Sequence, residues 1–181
     1  MTQSRPTDPG PSPRQPSRRR KIARVQSLDS LVGAHPDALR DIYEAGSPAD
    51  PGELGAKPRG RLLAVEPLVP IFALTRPLVR VVAQHLLPWK GKVFETGGTA
   101  GRNRVLRWQL FRFHCEVEAS ALDGQPTLVL RYDGLGNPWP LPHVVDELRR
   151  VGDGVAIGPA SLAVGGAQPR VLAWWGLTTQ A

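Results

Sequence analysis

Five tryptophans stand out in this chain of 181 residues because they could build a binding pocket. An indole has a large apolar surface and one N–H donor, so it suits either a plain hydrophobic core or the wall of a pocket for an apolar ligand. Polar side chains near these tryptophans would supply the anchors of such a pocket. Under this interpretation the candidate ligand-binding residues are Trp89, Arg107, Trp108, His114, Tyr132 and Trp175.

Nucleophilic catalysis is the alternative chemistry, and it needs a nucleophile beside a general base. His114 and Cys115 are neighbours in the sequence, but neighbours in a β-strand point to opposite faces of the sheet. They cannot form a dyad if this segment is a strand, and Cys115 is then expected to be a small core residue. An enzyme would have to use Arg107, His114 or Tyr132 as acid, base or anchor, so the catalytic residues stay unknown.

Little in the sequence supports a metal site or a phosphate-binding loop. A metal site would need two or more ligands at a fixed spacing. The chain has four histidines without such a spacing, which are His35, His85, His114 and His143. The glycines of residues 97–101 precede sequence typical of a strand, which favours a flexible β loop over a phosphate-binding loop. No metal is predicted, and any cofactor stays unknown.

The excess positive charge of the chain lies almost entirely in residues 1–24. This segment has seven basic residues and one acid, whereas the whole chain has 23 basic and 16 acidic residues, so the remainder is nearly neutral. Because the segment is rich in proline and poor in apolar residues, it is predicted to be disordered. Its basic run would contact nucleic acid, an acidic protein or an anionic membrane surface, or would only keep the chain soluble. That run is Arg18, Arg19, Arg20 and Lys21.

The number of cysteines and the distribution of apolar residues indicate the cellular compartment in which the protein is expected. A single cysteine excludes an intrachain disulfide framework and favours a reducing compartment, so a cytoplasmic location is expected. The basic run is not followed by an apolar segment, which argues against an export signal. Residues 62–87 are the most apolar stretch, but charged residues and prolines interrupt it too often for a transmembrane helix.

Helical periodicity appears in three stretches. Residues 27–44 predict two short helices that meet near Pro36, which suits a first helical turn. Residues 76–86 predict an amphipathic helix that either closes one end of a β core or lies in a membrane interface. Residues 142–150 predict a further short helix with Asp146 on its exposed side.

Most of the other segments alternate between apolar and polar residues with a period near two. Residues 111–119 have this pattern, and a turn over 121–125 leads to residues 127–132, which predicts a β-hairpin. Leu106, Trp108 and Leu110 alternate in the opposite phase, so a bulge is expected near Leu110 and Phe111. Further strands are predicted at residues 59–65, 155–164 and 170–178.

These strands indicate a mainly β (α+β) domain. Five to eight antiparallel strands in short succession favour a small barrel or curled sheet, because closure protects the strand edges. The predicted organisation is a disordered basic tail over residues 1–24, short helices and a loop over residues 25–58, and a barrel-like domain with a capping helix over residues 59–181.

Several short motifs carry a family resemblance. They are Leu-Pro-Trp-Lys-Gly-Lys-Val-Phe at residues 87–94, Gly-Arg-Asn-Arg-Val at 101–105, Leu-Asp-Gly at 122–124, the loop from Tyr-Asp to Asn-Pro at 132–138, and Asp-Glu-Leu-Arg at 146–149. Over residues 50–181 the chain resembles small bacterial calycin-like proteins, related in style to lipocalin and GXWXG-type domains. The resemblance implies a cupped barrel that binds a small apolar molecule or turns one over, with Trp89 and Gly91 at its entrance.

Three functional hypotheses follow. The first is a carrier or sensor of a small apolar ligand in a calycin-like barrel, with the basic tail as a tether. The second is an enzyme that acts on such a ligand in the same cavity. The third is a scaffold or cargo protein that docks through its tail on an acidic surface.

Overall fold

The computed structural model describes residues 25–66, 89–163 and 169–180. The tail predicted over residues 1–24 and the helix predicted over residues 76–86 lie outside these ranges. The strands are β1 Ser47–Pro48, β2 Arg59–Val65, β3 Trp89–Phe94, β4 Ala100–Val105, β5 Trp108–Ala119, β6 Pro126–Arg131, β7 Val144–Gly152, β8 Val155–Leu162 and β9 Arg170–Thr178. The helices are α1 Pro36–Glu44 and α2 Pro51–Leu54, with 3₁₀ turns at Leu28–Leu31 and Leu141–His143. None of the helices in the described ranges is long and apolar enough to cross a bilayer.

Strands β2 to β9 form a closed, eight-stranded antiparallel barrel. Each strand pairs with the next one along the chain, and β9 returns to pair with β2. The short strand β1 adds to the outside of this order through its pairing with β7. The prediction of a mainly β antiparallel barrel is therefore confirmed, and closure leaves the barrel strands without free edges.

The barrel wall separates two apolar clusters. The inner cluster fills part of the barrel, and the outer cluster lies between the barrel wall and the N-terminal helices. Trp174 and Trp175 show the division, because they are neighbours on β9 and both are buried. Trp175 belongs to the inner cluster and Trp174 to the outer cluster, as neighbours on the strand predicted over residues 170–178 should.

The N-terminal segment covers the outside of the barrel with two short helical elements, as predicted. Pro36 occupies the first turn of α1, and the Nδ1 atom of His35 accepts a hydrogen bond from the Asp37 N–H at 3.3 Å. Leu39 and Tyr43 lie one turn apart on the buried face of this helix and pack in the outer cluster. Helix α1 therefore closes the outer core.

The bulge predicted near Phe111 is confirmed. The register of β4 against β5 shifts between Arg102 and Asn103, which face Arg112 and Leu110 respectively, and Phe111 adopts a positive φ of 57°. This reversal of the alternation allows Phe111 to pack against the inner cluster while Leu110 is exposed. The predicted hairpin of β5 and β6 is also present.

The helix predicted over residues 142–150 is wrong, because most of this segment forms strand β7. The polar residues that made the segment look like a solvated helix are buried. Asp146 points into the barrel, whereas Glu147 and Arg149 lie outside the wall, where Glu147 Oε2 accepts a hydrogen bond from the Tyr43 hydroxyl. The period of two was hidden because both faces of β7 carry charged residues that are buried and hydrogen-bonded.

Candidate functional site

Among the described residues, apolar side chains pack one end of the barrel interior and leave the other end open. Phe94, Leu128, Leu148 and Leu177 fill the closed end. The other end, where β4 turns into β5 and β6 leads to β7, is here called the mouth. A cavity of about 690 Å³ occupies the half nearer the mouth. Its apolar walls include Trp89, Val105, Phe111, Leu141, Val144 and Trp175.

Two glycines allow Trp89 to lie in the cavity wall. Strand β2 pairs with β3 only at Arg59 and Gly91, where the two backbones come very close. A Cβ atom on Gly60 would lie 2.5 Å from the Trp89 ring, and a Cβ on Gly91 would lie 2.3 Å from the Pro58 carbonyl oxygen. Gly91 also has a positive φ of 127°. Because Gly60 and Gly91 have no side chains, the two strands can cross this closely and the Trp89 indole can lie in the cavity wall.

Four polar side chains form a buried polar cluster in the cavity wall, namely Lys92, Asn103, Tyr132 and Asp146. The Lys92 ammonium donates to Asp146 Oδ2 at 2.8 Å and to the Tyr132 hydroxyl at 2.7 Å. Its third hydrogen bond goes to Asn103 Oδ1 at 3.1 Å. The side chain of Lys92 is only 1% exposed, so its charge depends on these partners.

The other members of the polar cluster are also bound to one another. The Tyr132 hydroxyl donates to Asp146 Oδ2 at 2.7 Å and accepts from Asn103 Nδ2 at 3.0 Å. Asn103 Oδ1 accepts a further hydrogen bond from Trp89 Nε1 at 3.0 Å. The polar cluster is thus held in one arrangement that includes the Trp89 indole.

Aromatic rings surround the Lys92 ammonium. Its Nζ atom lies 4.6 Å from the ring centroid of Trp175 and 4.9 Å from that of Phe113. The rings of Tyr132 and Trp89 follow at 5.4 Å and 5.9 Å. Because the faces of aromatic rings are electron-rich, they compensate part of the desolvation of this cation.

Burial changes the acid–base behaviour of this cluster. Desolvation lowers the pKa of Lys92, and the negative charge of Asp146 acts in the opposite direction. Desolvation also raises the pKa of Tyr132 well above its ordinary value, and the negative charge of Asp146 adds to the rise. The Tyr132 phenol therefore stays protonated at neutral pH and remains a hydrogen-bond donor.

The chemistry available in the cavity is hydrogen bonding and proton exchange within an apolar enclosure. The buried Trp175 Nε1 has no hydrogen-bond acceptor among the described residues. All hydrogen bonds to the Asp146 carboxylate from the described residues use Oδ2. No group of three or more potential metal ligands occurs in the described ranges.

Three of the six candidate ligand-binding residues lie together. Trp89, Tyr132 and Trp175 line the cavity. The other three lie elsewhere: His114 is exposed on β5, and Arg107 and Trp108 are exposed at the β4–β5 turn. An acid, base or anchor inside the cavity could therefore come from Tyr132 but not from Arg107 or His114. The candidate basic run of the tail lies outside the described residues.

Lys92, Asn103 and Asp146 were missed by the sequence-based prediction. A signal existed for Lys92, since its spacing from Phe94 along a strand places both side chains on the same face, and Phe94 is apolar. No comparable signal marked Asp146, because its segment was interpreted as a helix. Asn103 lies in the Gly-Arg-Asn-Arg-Val motif, which was used only for the family resemblance.

Cys115 is a core residue, as predicted, and faces away from the exposed His114. Its side chain is near the Gly98 carbonyl oxygen, with Sγ at 3.0 Å. Burial raises the pKa of the Cys115 thiol to about 11, although the nearby Lys92 ammonium acts against the rise. The thiol is therefore protonated and a poor nucleophile at neutral pH.

Comparison with known proteins gives limited information. The chain matches no known protein family and no curated protein. A solved structure of a protein from Thermomonospora curvata is similar, with a TM-score of 0.48 and 14% sequence identity. The similarity covers 85% of this chain and 93% of that protein. The assignment of the barrel rests on the strand pairing in this chain.

Replacing one partner of the Lys92–Asp146 pair is expected to destabilise the fold more than replacing both partners with apolar residues. Lys92→Met or Asp146→Leu alone should lower the free energy of unfolding by about 3–5 kcal/mol, because each leaves a buried charge without its partner. The double variant should be more stable than either single variant. Urea unfolding followed by tryptophan fluorescence measures all three.

The partly exposed pair of Arg131 and Glu118 provides the control for this experiment. Breaking it with Arg131→Met should cost less than about 1 kcal/mol, since water solvates the remaining carboxylate. A Lys92→Met variant that loses no more stability than Arg131→Met would contradict the account of the polar cluster.

Cys115 should react slowly with alkylating reagents in the folded protein. With a pKa of about 11 instead of 9.0, its thiolate fraction near neutral pH is roughly 100-fold lower than in the unfolded chain. Iodoacetamide labelling followed by mass spectrometry should show at least this difference between folded and urea-unfolded protein, and the rate in the folded protein should rise with pH. Cys115→Ala gives the background, and equal rates in both states would show that the thiol is exposed.

Proposed function

We propose that the barrel binds a small, mainly apolar molecule whose one polar group lies against the polar cluster. The observation that carries this proposal is the cavity of about 690 Å³, whose largely apolar walls contain the buried polar cluster of Lys92, Asn103, Tyr132 and Asp146, while the ion pair of Arg61 and Asp29 also lines it. Ligand pockets have volumes of roughly 300–1,000 Å³ and combine apolar walls with a few polar groups that orient the ligand.

The energetics of the polar cluster support a role other than stability. Replacing a buried ion pair with apolar residues of similar size is often neutral or stabilising, so a pair such as Lys92–Asp146 is not needed to hold a barrel together. At the closed end, the apolar side chains of the inner cluster, such as Phe94, Leu128, Leu148 and Leu177, fill the interior. A polar cluster only at the open end is what a binding site requires.

The chemistry of the ligand follows from the groups that line the cavity. Asp146 would accept a hydrogen bond from a ligand hydroxyl through Oδ1. We therefore propose a ligand with an aliphatic or aromatic body and a hydroxyl group at one end.

The calycin-like resemblance agrees with this proposal. An antiparallel barrel with a cavity open at one end is the architecture that the resemblance implies, and Trp89 lies in the cavity wall. Gly91 is placed at the crossing of β2 and β3 next to it. The proposed function is that of a carrier or sensor.

An enzyme in the same cavity is the second candidate. It is favoured by the contact of the Tyr132 hydroxyl with both Lys92 and Asp146, because a phenol between an amine and a carboxylate has a path for proton transfer. The two candidates differ in the product: a carrier returns its ligand unchanged, whereas an enzyme returns a molecule of different structure.

Filling the cavity should abolish binding of an apolar probe. Ala160 lines the cavity, so Ala160→Trp places an indole in the space that a ligand would occupy. The affinity for N-phenylnaphthylamine, measured by its fluorescence increase, should fall by about tenfold or more because its apolar area then has nowhere to be buried.

The matched control is Ala119→Trp, which adds the same indole at an exposed position of β5. This variant should bind the probe like the original chain. Thermal unfolding of both variants confirms that they are folded. Equal probe affinity in the folded Ala160→Trp and Ala119→Trp variants would rule out the cavity as the binding site.

A further inference from the structure

Exposed apolar side chains are concentrated at the mouth of the barrel. Among the described residues, the large apolar side chains that are exposed include Trp139 at 82% and Leu106 and Trp108 at 56% each. Leu110 and Val65 are exposed at the same end, and Val117 is the exception, on the side of β5. Such clustering differs from the usual scatter of single apolar residues and marks an interaction surface. We call Leu106, Trp108, Leu110 and Trp139 the mouth patch.

The two segments that carry the mouth patch are joined by a hydrogen bond. Leu106, Trp108 and Leu110 belong to the β4–β5 hairpin, whereas Trp139 lies in the loop between β6 and β7. In that loop the Asn137 side-chain amide donates to the Arg112 carbonyl oxygen at 2.7 Å, which joins the loop to β5. The patch is therefore carried by two connected segments.

Leu106 is an unfavourable residue for its backbone position. Val105 pairs with Trp108, so Leu106 and Arg107 form a two-residue turn, and Leu106 has a positive φ of 54°. Asparagine or glycine adopts this conformation at lower cost, and an exposed leucine gains little from burial within the chain. A strained apolar residue at an exposed tip points to a role outside the fold.

Basic side chains surround the mouth patch. The Arg107 guanidinium lies 5.1 Å from the centroid of the Trp108 ring and is exposed beside it. The exposed basic residues at the mouth are Lys90, Arg107, Arg112 and Arg170, whereas Asp133 is the exposed acid at that end among the described residues. The combination of exposed indoles with cations is complementary to the interface of an anionic bilayer, where indoles lie at headgroup depth and cations meet phosphates.

We propose that the mouth patch docks this protein on an anionic lipid bilayer, with Trp108 and Trp139 in the headgroup region and Arg107 against lipid phosphates. This orientation turns the half of the barrel that holds the cavity toward the bilayer, where apolar molecules dissolve. Docking itself rests on the surface residues, whereas its use in loading the cavity rests on the proposed function.

Vesicle co-sedimentation of the full chain tests the docking. Phosphatidylcholine vesicles that contain phosphatidylglycerol should bind the protein, and vesicles of phosphatidylcholine alone should bind it less. Replacing both Trp108 and Trp139 by serine should lower partition by about tenfold or more, because two interfacial anchors are lost. Arg107→Glu should lower binding to the anionic vesicles, and added salt should reduce the difference between the original chain and this variant.

Leu106→Asn is the most informative variant. Asparagine suits the left-handed backbone, so thermal stability should be unchanged or higher while vesicle binding falls. The control Val117→Ser removes an exposed apolar side chain away from the mouth and should not alter binding. Every variant keeps residues 1–24, so the differences report on the mouth patch and not on the basic tail.

The outcomes separate this proposal from its alternatives. Unchanged vesicle binding in Leu106→Asn and in the tryptophan variant, an equal loss in Val117→Ser, or equal binding to both vesicle types would each overturn it. If the same variants instead convert a dimer to a monomer in sedimentation, the patch pairs with a second copy and the proposal is wrong. Binding of N-phenylnaphthylamine in the absence of vesicles reports on the cavity separately, so either proposal can fail without the other.

Discussion

The buried charge of Lys92 is the constraint on which the arrangement of the barrel interior depends. An ammonium group removed from water costs several kcal/mol unless hydrogen bonds and an opposite charge replace the solvent. Those partners come from different parts of the barrel: Asn103 from β4, Tyr132 from the end of β6 and Asp146 from β7. Since β3 and β7 are not neighbours in the sheet, only closure of the barrel brings Lys92 and Asp146 together across the interior.

This constraint explains why the interior divides into two halves. At the closed end, apolar side chains meet across the barrel and exclude water, as in any packed core. At the open end, the polar cluster occupies the wall, and the aromatic rings of Trp89 and Trp175 are held around Lys92 rather than against each other's faces, with their planes at 90°. The cavity is the space that this arrangement leaves. The mouth patch lies at the same end, so the cavity and these exposed apolar side chains are adjacent.

Much of the fold could be predicted because the outer and inner faces of most strands differ in polarity. The alternation around Cys115 gave the β5–β6 hairpin, and the phase reversal at Leu110 located the bulge, which the positive φ of Phe111 confirms. The helix predicted for the segment that forms β7 was wrong for a physical reason. Asp146 points inward and Arg149 outward, and both are buried and paired. Polar residues in this segment therefore did not mark an exposed face.

The candidate site was predicted only in its aromatic part. Tryptophan and tyrosine signal a pocket by their type, and Trp89, Tyr132 and Trp175 do line the cavity. Lys92 and Asp146 could not be recognised as pocket residues from their residue types, because charged residues are usually solvated. Their pairing could not be recognised either, because 54 residues separate them in the sequence. Trp108 illustrates the opposite case, since a tryptophan predicted for the pocket is exposed beside the mouth.

Native mass spectrometry of the full chain after incubation with a small-molecule extract of cells tests the central claim most directly. The account predicts a discrete adduct whose size fits the cavity of about 690 Å³ and which is released when the protein unfolds. The same adduct should be absent when the cavity is filled at Ala160. A mass equal to that of the bare chain under all of these conditions, in protein that is folded, would contradict the claim that the barrel is a binding site.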